Sequence, residues 1–352
     1  MSHSPISHSH TAKRYPLQTA PGQGEAIAIN DYVRWLRSPL PMSLNHINCY
    51  LLRDTGGWCV VDTGMNGDAA RQQWLDVIES QLDGEPITRV IVTHHHPDHV
   101  GLAGWLCDSH RVPLFTTEAE YLYTCALNGA SGDASRQGPY WEVTRYFNQT
   151  GISDTDRNAL LDNKDYNHLV SSVPTAYHRV QDGQRLQIGS QQWEAITTRG
   201  HAPEHLCLYS RELDILISGD QVLPEITSNV SVSPTAPADN PLQDWLQAHA
   251  TMARRVPDSV LVLPAHQLPF TGLHGRLQEV VAHHRERLEA LLALMDRPKS
   301  AQALTTELFD KSLEPFQNFL AVGEVVAHLH YLLAEGRTKR ELIGQVYYYG
   351  RS

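Results

Sequence analysis

The sequence predicts an α/β fold in which sheets are covered by helices, followed by a mostly helical C-terminal domain. Three observations predict it. From about residue 25 to 275, short apolar runs alternate with amphipathic helical stretches. One buried run leads straight into "VTHHHPDHVG", a dense polar cluster at a strand end. Beyond Gly275 the chain turns to long stretches of helical periodicity.

The order of elements follows from the periods. Residues 1–24, including "MSHSPISHSHTAKRYP", are polar and lack the apolar core of a signal peptide, so a disordered tail is expected. "AIAIND", "VRWLR", "NCYLLRD" and "WCVVDTG" read as short strands. "DAARQQWLDVIESQL" then places Trp74, Leu75, Ile78 and Leu82 on one helical face. "ITRVIVT" is a buried strand, followed by a helix near Leu102, the strand "VPLFTT" and a helix from Glu118. Residues 130–175 are polar and read as an insertion with helices at "WEVTRYF" and "NALLDNKDYNHLV". Strands return at "HRVQDGQRLQIGSQQWEAITTRGH", with Asp182–Gly183 as the turn, and continue at "LCLYS" and "DILISGD". The helix "PLQDWLQAHATMARRV" and the strand "SVLVLPAH" complete a domain of 25–275. Residues 276–352 form the second domain, with three helical stretches and the short strand or hairpin "TKRELIGQVYYYG".

Composition narrows the functional classes. A chain of 352 residues with 41% hydrophobic residues can bury a substantial core. Its formal charge of −11 disfavours general binding to nucleic acid or anionic lipid, both of which need clustered Lys and Arg. Residues 276–352 hold 10 basic and 10 acidic residues, so the C-terminal domain offers no basic recognition surface. Five cysteines without a C-x-x-C pair and no long apolar run point to reduced thiols in a cytoplasmic protein, outside membranes. A small-molecule substrate fits these properties, and a homodimer is left open.

The cluster carries the chemistry. His94 and His96 are two apart at the mouth of a strand, so their side chains can converge on one point. Asp98 and His99 lie in the turn shaped by Pro97 and can reach a second point nearby. His95 faces elsewhere by alternation. Burying so many titratable groups is costly unless something pairs them, and a divalent cation does so.

"THHHPDH" resembles the metal-binding signature of the metallo-β-lactamase fold superfamily. Further matches follow in order: "TTRGHAPEH" around His201, "LISGDQ" around Asp220, "LVLPAHQ" around His266, and upstream "VVDTG" with Asp62. The resemblance implies an αββα four-layer sandwich over about 25–275, with a winged-helix-like domain after it. It implies one metal held by His94, His96 and His201, another by Asp98, His99 and His266, and Asp220 bridging them. Asp62 supports them from behind, and His95 and His205 are not ligands. Nitrogen and oxygen ligands without sulfur suit two Zn²⁺ ions per chain, with Fe or Mn as alternatives. The implied activity is that of a dinuclear hydrolase in which a metal-bound water attacks a small ester, thioester or lactone, with Asp98 and Asp220 as catalytic groups. "PAHQ" departs from the pattern, since many relatives have Gly where Ala265 stands. Alternatives are a mononuclear iron dioxygenase of sulfur compounds, a metal-dependent ribonuclease or phosphodiesterase, and a non-catalytic binding module. Tyr140, Trp141, Tyr146, Phe147 and Tyr166 of the insertion are candidates to line the substrate pocket or to form the insertion's own core.

Overall fold

The computed structural model describes residues 13–42, 44–132, 140–162, 166–309 and 313–352. Two sheets pack face to face. The first holds seven strands in sequence order: β1 (Ala26–Ala28), β2 (Val33–Pro39), β3 (His46–Asp54), β4 (Gly57–Val61), β5 (Ile87–Ile91), β6 (Leu114–Thr116) and β7 (His178–Arg179). It is antiparallel through β4 and parallel from β4 onward, where helices make the crossovers. The second holds β8 (Arg185–Ile188), β9 (Gln191–Thr198), β10 (His205–Ser210), β11 (Ile215–Gly219) and β12 (Leu261–Pro264), in the order β12-β11-β10-β9-β8.

Strand alternation builds the layers. Leu206 and Leu208 of β10 point into the core between the sheets, where they join Trp35, Tyr50, Val61 and Trp193. Cys207 and Tyr209 point to the other face and pack under Met252 and Leu273. β3 does the same, with Tyr50 and Leu52 inward and Cys49 and Leu51 outward against Trp74 and Val77. Because both faces are covered, these strands carry apolar residues on both faces through their middles rather than alternating with polar ones.

The covering helices are α1 (Asp68–Gln81), α2 (Pro97–Val100), α3 (Ala103–His110), α4 (Glu118–Gly132), α5 (Trp141–Thr150), α6 (Asp154–Asp162), α7 (Tyr166–Leu169), α8 (Pro241–Arg255) and α9 (Leu273–Leu294). α9 runs through position 275 without a break, with Leu277 in the outer core of the second sheet and Leu288 in the C-terminal core. α10 (Ala301–Phe309) and α11 (Pro315–Ala334) complete that core, flanked by a small sheet of β13 (Lys299–Ser300), β14 (Thr338–Ile343) and β15 (Val346–Arg351). Among the described residues no helix is long and apolar enough to cross a membrane.

Several expectations are corrected. Of the anticipated tail, residues 13–24 are placed on the domain: Arg14 and Thr271 exchange backbone hydrogen bonds, and Leu17 and Ala20 pack against the inter-sheet core. Residues 1–12 lie outside the described residues. In α1, Leu75 is 49% exposed, while Ala70, Gln73, Trp74 and Val77 form the buried face. Asp182–Gly183 does not turn a hairpin but carries the chain from the first sheet to the second, and the β8–β9 hairpin turns at Gly189–Ser190. The insertion has no core of its own at α5: Tyr146 and Phe147 join the C-terminal core, with the Phe147 and Phe319 rings 5.8 Å apart.

That core contains a histidine pair. His328 Nδ1–H donates to the Glu324 carbonyl at 2.7 Å, which leaves its Nε2 to accept from His284 Nδ1–H at 3.0 Å. The nearby Glu324 carboxylate is paired with Arg287 at 3.1 Å, so this group is already neutralised without a cation. Burial, and then the neighbouring histidines, press His284 down to about 2. Burial presses His328 down to about 4, against the Glu324 carbonyl that raises it. The unfolded chain takes up these protons near pH 6.5 and the folded chain does not, so stability falls as pH drops from about 6.5 towards 4. In metal-free protein, His284→Gln is expected to flatten that fall by on the order of 2 kcal/mol between pH 7 and 4.5, read by urea unfolding at each pH.

Candidate metal centre

The site lies where strand ends of both sheets meet. β5 delivers Thr93 and His94, and the chain then turns through Pro97 into α2, which carries Asp98 and His99. His201 follows β9, Asp220 follows β11 and His266 follows β12.

All seven side chains come together in two groups. His94, His96, His201 and Asp220 form one, and Asp98, His99 and His266 the other; within each, one ligand atom per residue lies within 4.8 Å of the rest. In the first, His94 Nε2 is 2.9 Å from His96 Nδ1 and 3.2 Å from His201 Nε2, and Asp220 Oδ2 is 3.4 Å from His201 Nε2. In the second, His266 Nε2 is 3.4 Å from Asp98 Oδ2, and His99 Nε2 is 3.7 Å from it. Asp220 Oδ1 reaches across to this group, 3.3 Å from His266 Nε2 and 3.6 Å from His99 Nε2.

The opposite edges of the imidazoles are fixed. His201 Nδ1–H donates to Asn229 O at 2.7 Å, His266 Nδ1–H to His46 O at 2.8 Å and His99 Nδ1–H to Asp62 Oδ2 at 2.8 Å. Each such bond places the lone pair on Nε2, facing the centre. Asp62 sits at positive φ (58°) at the end of β4, and its carboxylate also accepts from the Thr93 amide and hydroxyl. It therefore braces the strand end and His99 together. His99 Nε2 and Asp220 Oδ1 are buried without a hydrogen-bond partner. Orphaned acceptors that converge with imidazole lone pairs fit a divalent cation well.

The charges agree. Burial, then crowding by His99 and His96, pushes His94 well below the usual histidine range. Burial also pulls on His99, but Asp62, Asp98 and Asp220 outweigh it and the net shift is well upward. Asp220 is held well below the carboxylate range by His266 and His99 despite its burial. A cation in the second group would take the place of those protons.

Other residues support the centre, and of these Glu120 was not legible in the sequence. Glu120 of α4 accepts from the His95 amide at 2.9 Å and the Glu204 amide at 2.7 Å, and its carboxylate faces His95 Nδ1 at 2.6 Å. His205 lies beneath the site and accepts from the Asp220 amide at 3.1 Å. Ala265 is 1% exposed, packs in the core, and donates its amide to Gly219 O at 3.0 Å, so the departure at "PAHQ" is accommodated.

A cavity of about 600 Å³ opens over His96 and His201. Its walls include Tyr123, Leu127, Val143, Phe319 and Leu320, and Arg199 lines it as well. Trp141 does not line it; that side chain is 63% exposed on the other side of α5. The Tyr166 side chain lies outside the described residues.

Residues 43–266 match the family model of the metallo-beta-lactamase superfamily. The chain belongs to the metallo-β-lactamase superfamily. Residues 288–351 match the metallo-beta-lactamase-like C-terminal domain. A beta-lactamase domain protein from Burkholderia ambifaria has a solved structure that superposes with a TM-score of 0.89 at 37% identity, covering 97% of this chain and 98% of that one. The Bacillus subtilis (strain 168) protein named "Probable metallo-hydrolase YqjP" is 26% identical over 85% of this chain and 92% of its own length. A Cryptosporiopsis protein named "Atrochrysone carboxyl ACP thioesterase dmxR1" is 22% identical over 76% of this chain and 63% of its own length. Within this superfamily the chain is a metal-dependent hydrolase.

Proposed function

We propose that the chain binds two divalent ions, zinc by its donor set, and hydrolyses a small ester, thioester or lactone with an apolar acyl portion. The cavity carries this reading: its apolar walls from α4, α5 and α11 stand directly over His96 and His201. The likeness to a fungal protein named as a thioesterase supports it. The five free cysteines, four of them buried, suit a cytoplasmic setting.

His94, His96 and His201 would hold one ion, Asp98, His99 and His266 the other, and Asp220 would bridge them. Bound ions of this kind lower the pKa of water and polarise a carbonyl. The protein's own part is to orient and to move a proton. Asp98 and Asp220 face the reacting centre and can accept the proton from the attacking water. Phe319, Leu320, Val143 and Leu127 exclude bulk water from the acyl chain. Arg199, exposed and paired with Asp244 at 3.4 Å, can meet a polar leaving portion.

Phe319→Ala is expected to raise KM for medium-chain acyl thioesters about tenfold relative to acetyl thioesters, while Trp141→Ala leaves both unchanged, in a chain-length series on zinc-loaded protein. Equal effects of the two substitutions, or none from Phe319→Ala, would remove the acyl pocket.

A further inference from the structure

Gly323 stands in the middle of α11, where glycine is a poor helix former. Its backbone lies against the segment 229–232. A Cβ added there would meet Ser231 Cβ at 3.0 Å, and Ser231 Oγ and Val232 O at 3.1 Å. The close approach lets the Val232 amide donate to Gly323 O at 3.1 Å, a bond from a loop to a carbonyl in mid-helix. Three further contacts tie down the same segment. Ser231 Oγ lies against Leu320 O at 3.3 Å and against the Asn229 side-chain oxygen, while Tyr146 O–H of α5 donates to Val232 O at 2.7 Å. Val230 and Val232 are buried in the C-terminal core. The start of this segment is Asn229, whose carbonyl holds His201 Nδ1–H at 2.7 Å.

We infer that Gly323 is a positioning residue for His201: by letting α11 touch the segment 229–232, it sets the Asn229 carbonyl that aims the His201 imidazole. The C-terminal domain thereby reaches the metal centre through one loop, without supplying a ligand. This rests on His201 being a metal ligand, as proposed above. Carbonyls that orient ligand imidazoles typically change metal affinity by 10- to 100-fold when displaced.

The test measures zinc retention against a chromogenic chelator, together with the melting temperature of the zinc-free form. Gly323→Ala is expected to weaken zinc binding roughly tenfold with little change in melting temperature, because alanine favours the helix as much as the contact opposes it. Adding Ser231→Gly, which removes two of the three close contacts, should restore much of the affinity. Leu329→Val, in the same C-terminal core but six residues further along α11, should lower the melting temperature and leave zinc binding as in wild type. Wild-type affinity in Gly323→Ala, or an equal loss in Leu329→Val, overturns the inference. Should Gly323→Ala not fold, Tyr146→Phe, which cuts the hydrogen bond to Val232, decides by the same reading. His201→Ala serves as the separate check: if it keeps full zinc affinity, the ligand assignment fails rather than the link to α11.

Discussion

Asp220→Ala is expected to lower kcat/KM by about 10³-fold or more, equivalent to about 4 kcal/mol of transition-state stabilisation, and to lower the metal content of the purified chain. Asp220 is the residue whose two oxygens face different groups: Oδ2 lies 3.4 Å from His201 Nε2, and Oδ1 lies 3.3 Å from His266 Nε2. Oδ1 is buried with no hydrogen-bond partner, and its negative charge faces the His266 and His99 imidazoles, where a bound cation would also meet it. Removing it leaves the imidazoles of both groups without their shared anion. Asp220→Asn is expected to fail almost as badly despite equal size, since an amide brings a donor edge and no charge. Elemental analysis beside turnover of a thioester decides it. Full metal content with wild-type turnover in either variant would sink the bridging role.

Gly200→Ala is expected to cost about 3 kcal/mol or more of stability and to disturb His201 next to it. Gly200 has φ 109°, a conformation that side chains rarely adopt, and a Cβ there would lie 2.4 Å from Trp245 Cβ and 2.6 Å from Pro241 O. Both belong to α8, and Trp245 is fully buried, so neither can step aside. Gly56 provides the contrast: its φ is 74° but nothing lies within 4 Å of the added atom. Gly56→Ala should therefore cost only about 1 kcal/mol, the backbone share of the effect. Urea unfolding of both variants separates strain from collision, and equal costs would contradict the packing argument.

The candidate set was legible because its members sit in the loops, and in the short helix α2, that follow buried strands, where short motifs record local geometry. Strands such as β10 were legible as apolar runs, although their inner and outer faces were not, since covered strands carry no polar alternation. Leu75 misled because adjacent apolar residues on a helix cannot all share one face. Asp182–Gly183 was read correctly as a turn, but the turn type does not say which sheet receives the next strand. Asn229 and His46 left no signal at all: they act through backbone carbonyls, which every residue possesses. Glu120 is silent for another reason, since its partners His95 and Glu204 lie on distant loops. Phe147 of α5 packs on Phe319 of α11, a contact no local pattern encodes.

The seven side chains of the candidate centre come together where the ends of two sheets formed by distant parts of the chain meet. A nascent chain with only its first sheet assembled can present His94, His96, Asp98 and His99, a set split between the two groups. His201 and Asp220 arrive with the second sheet, and His266 arrives with its edge strand, β12. An ion bound as proposed would therefore be captured tightly only last in the order of assembly, and would mark a chain whose sandwich has closed.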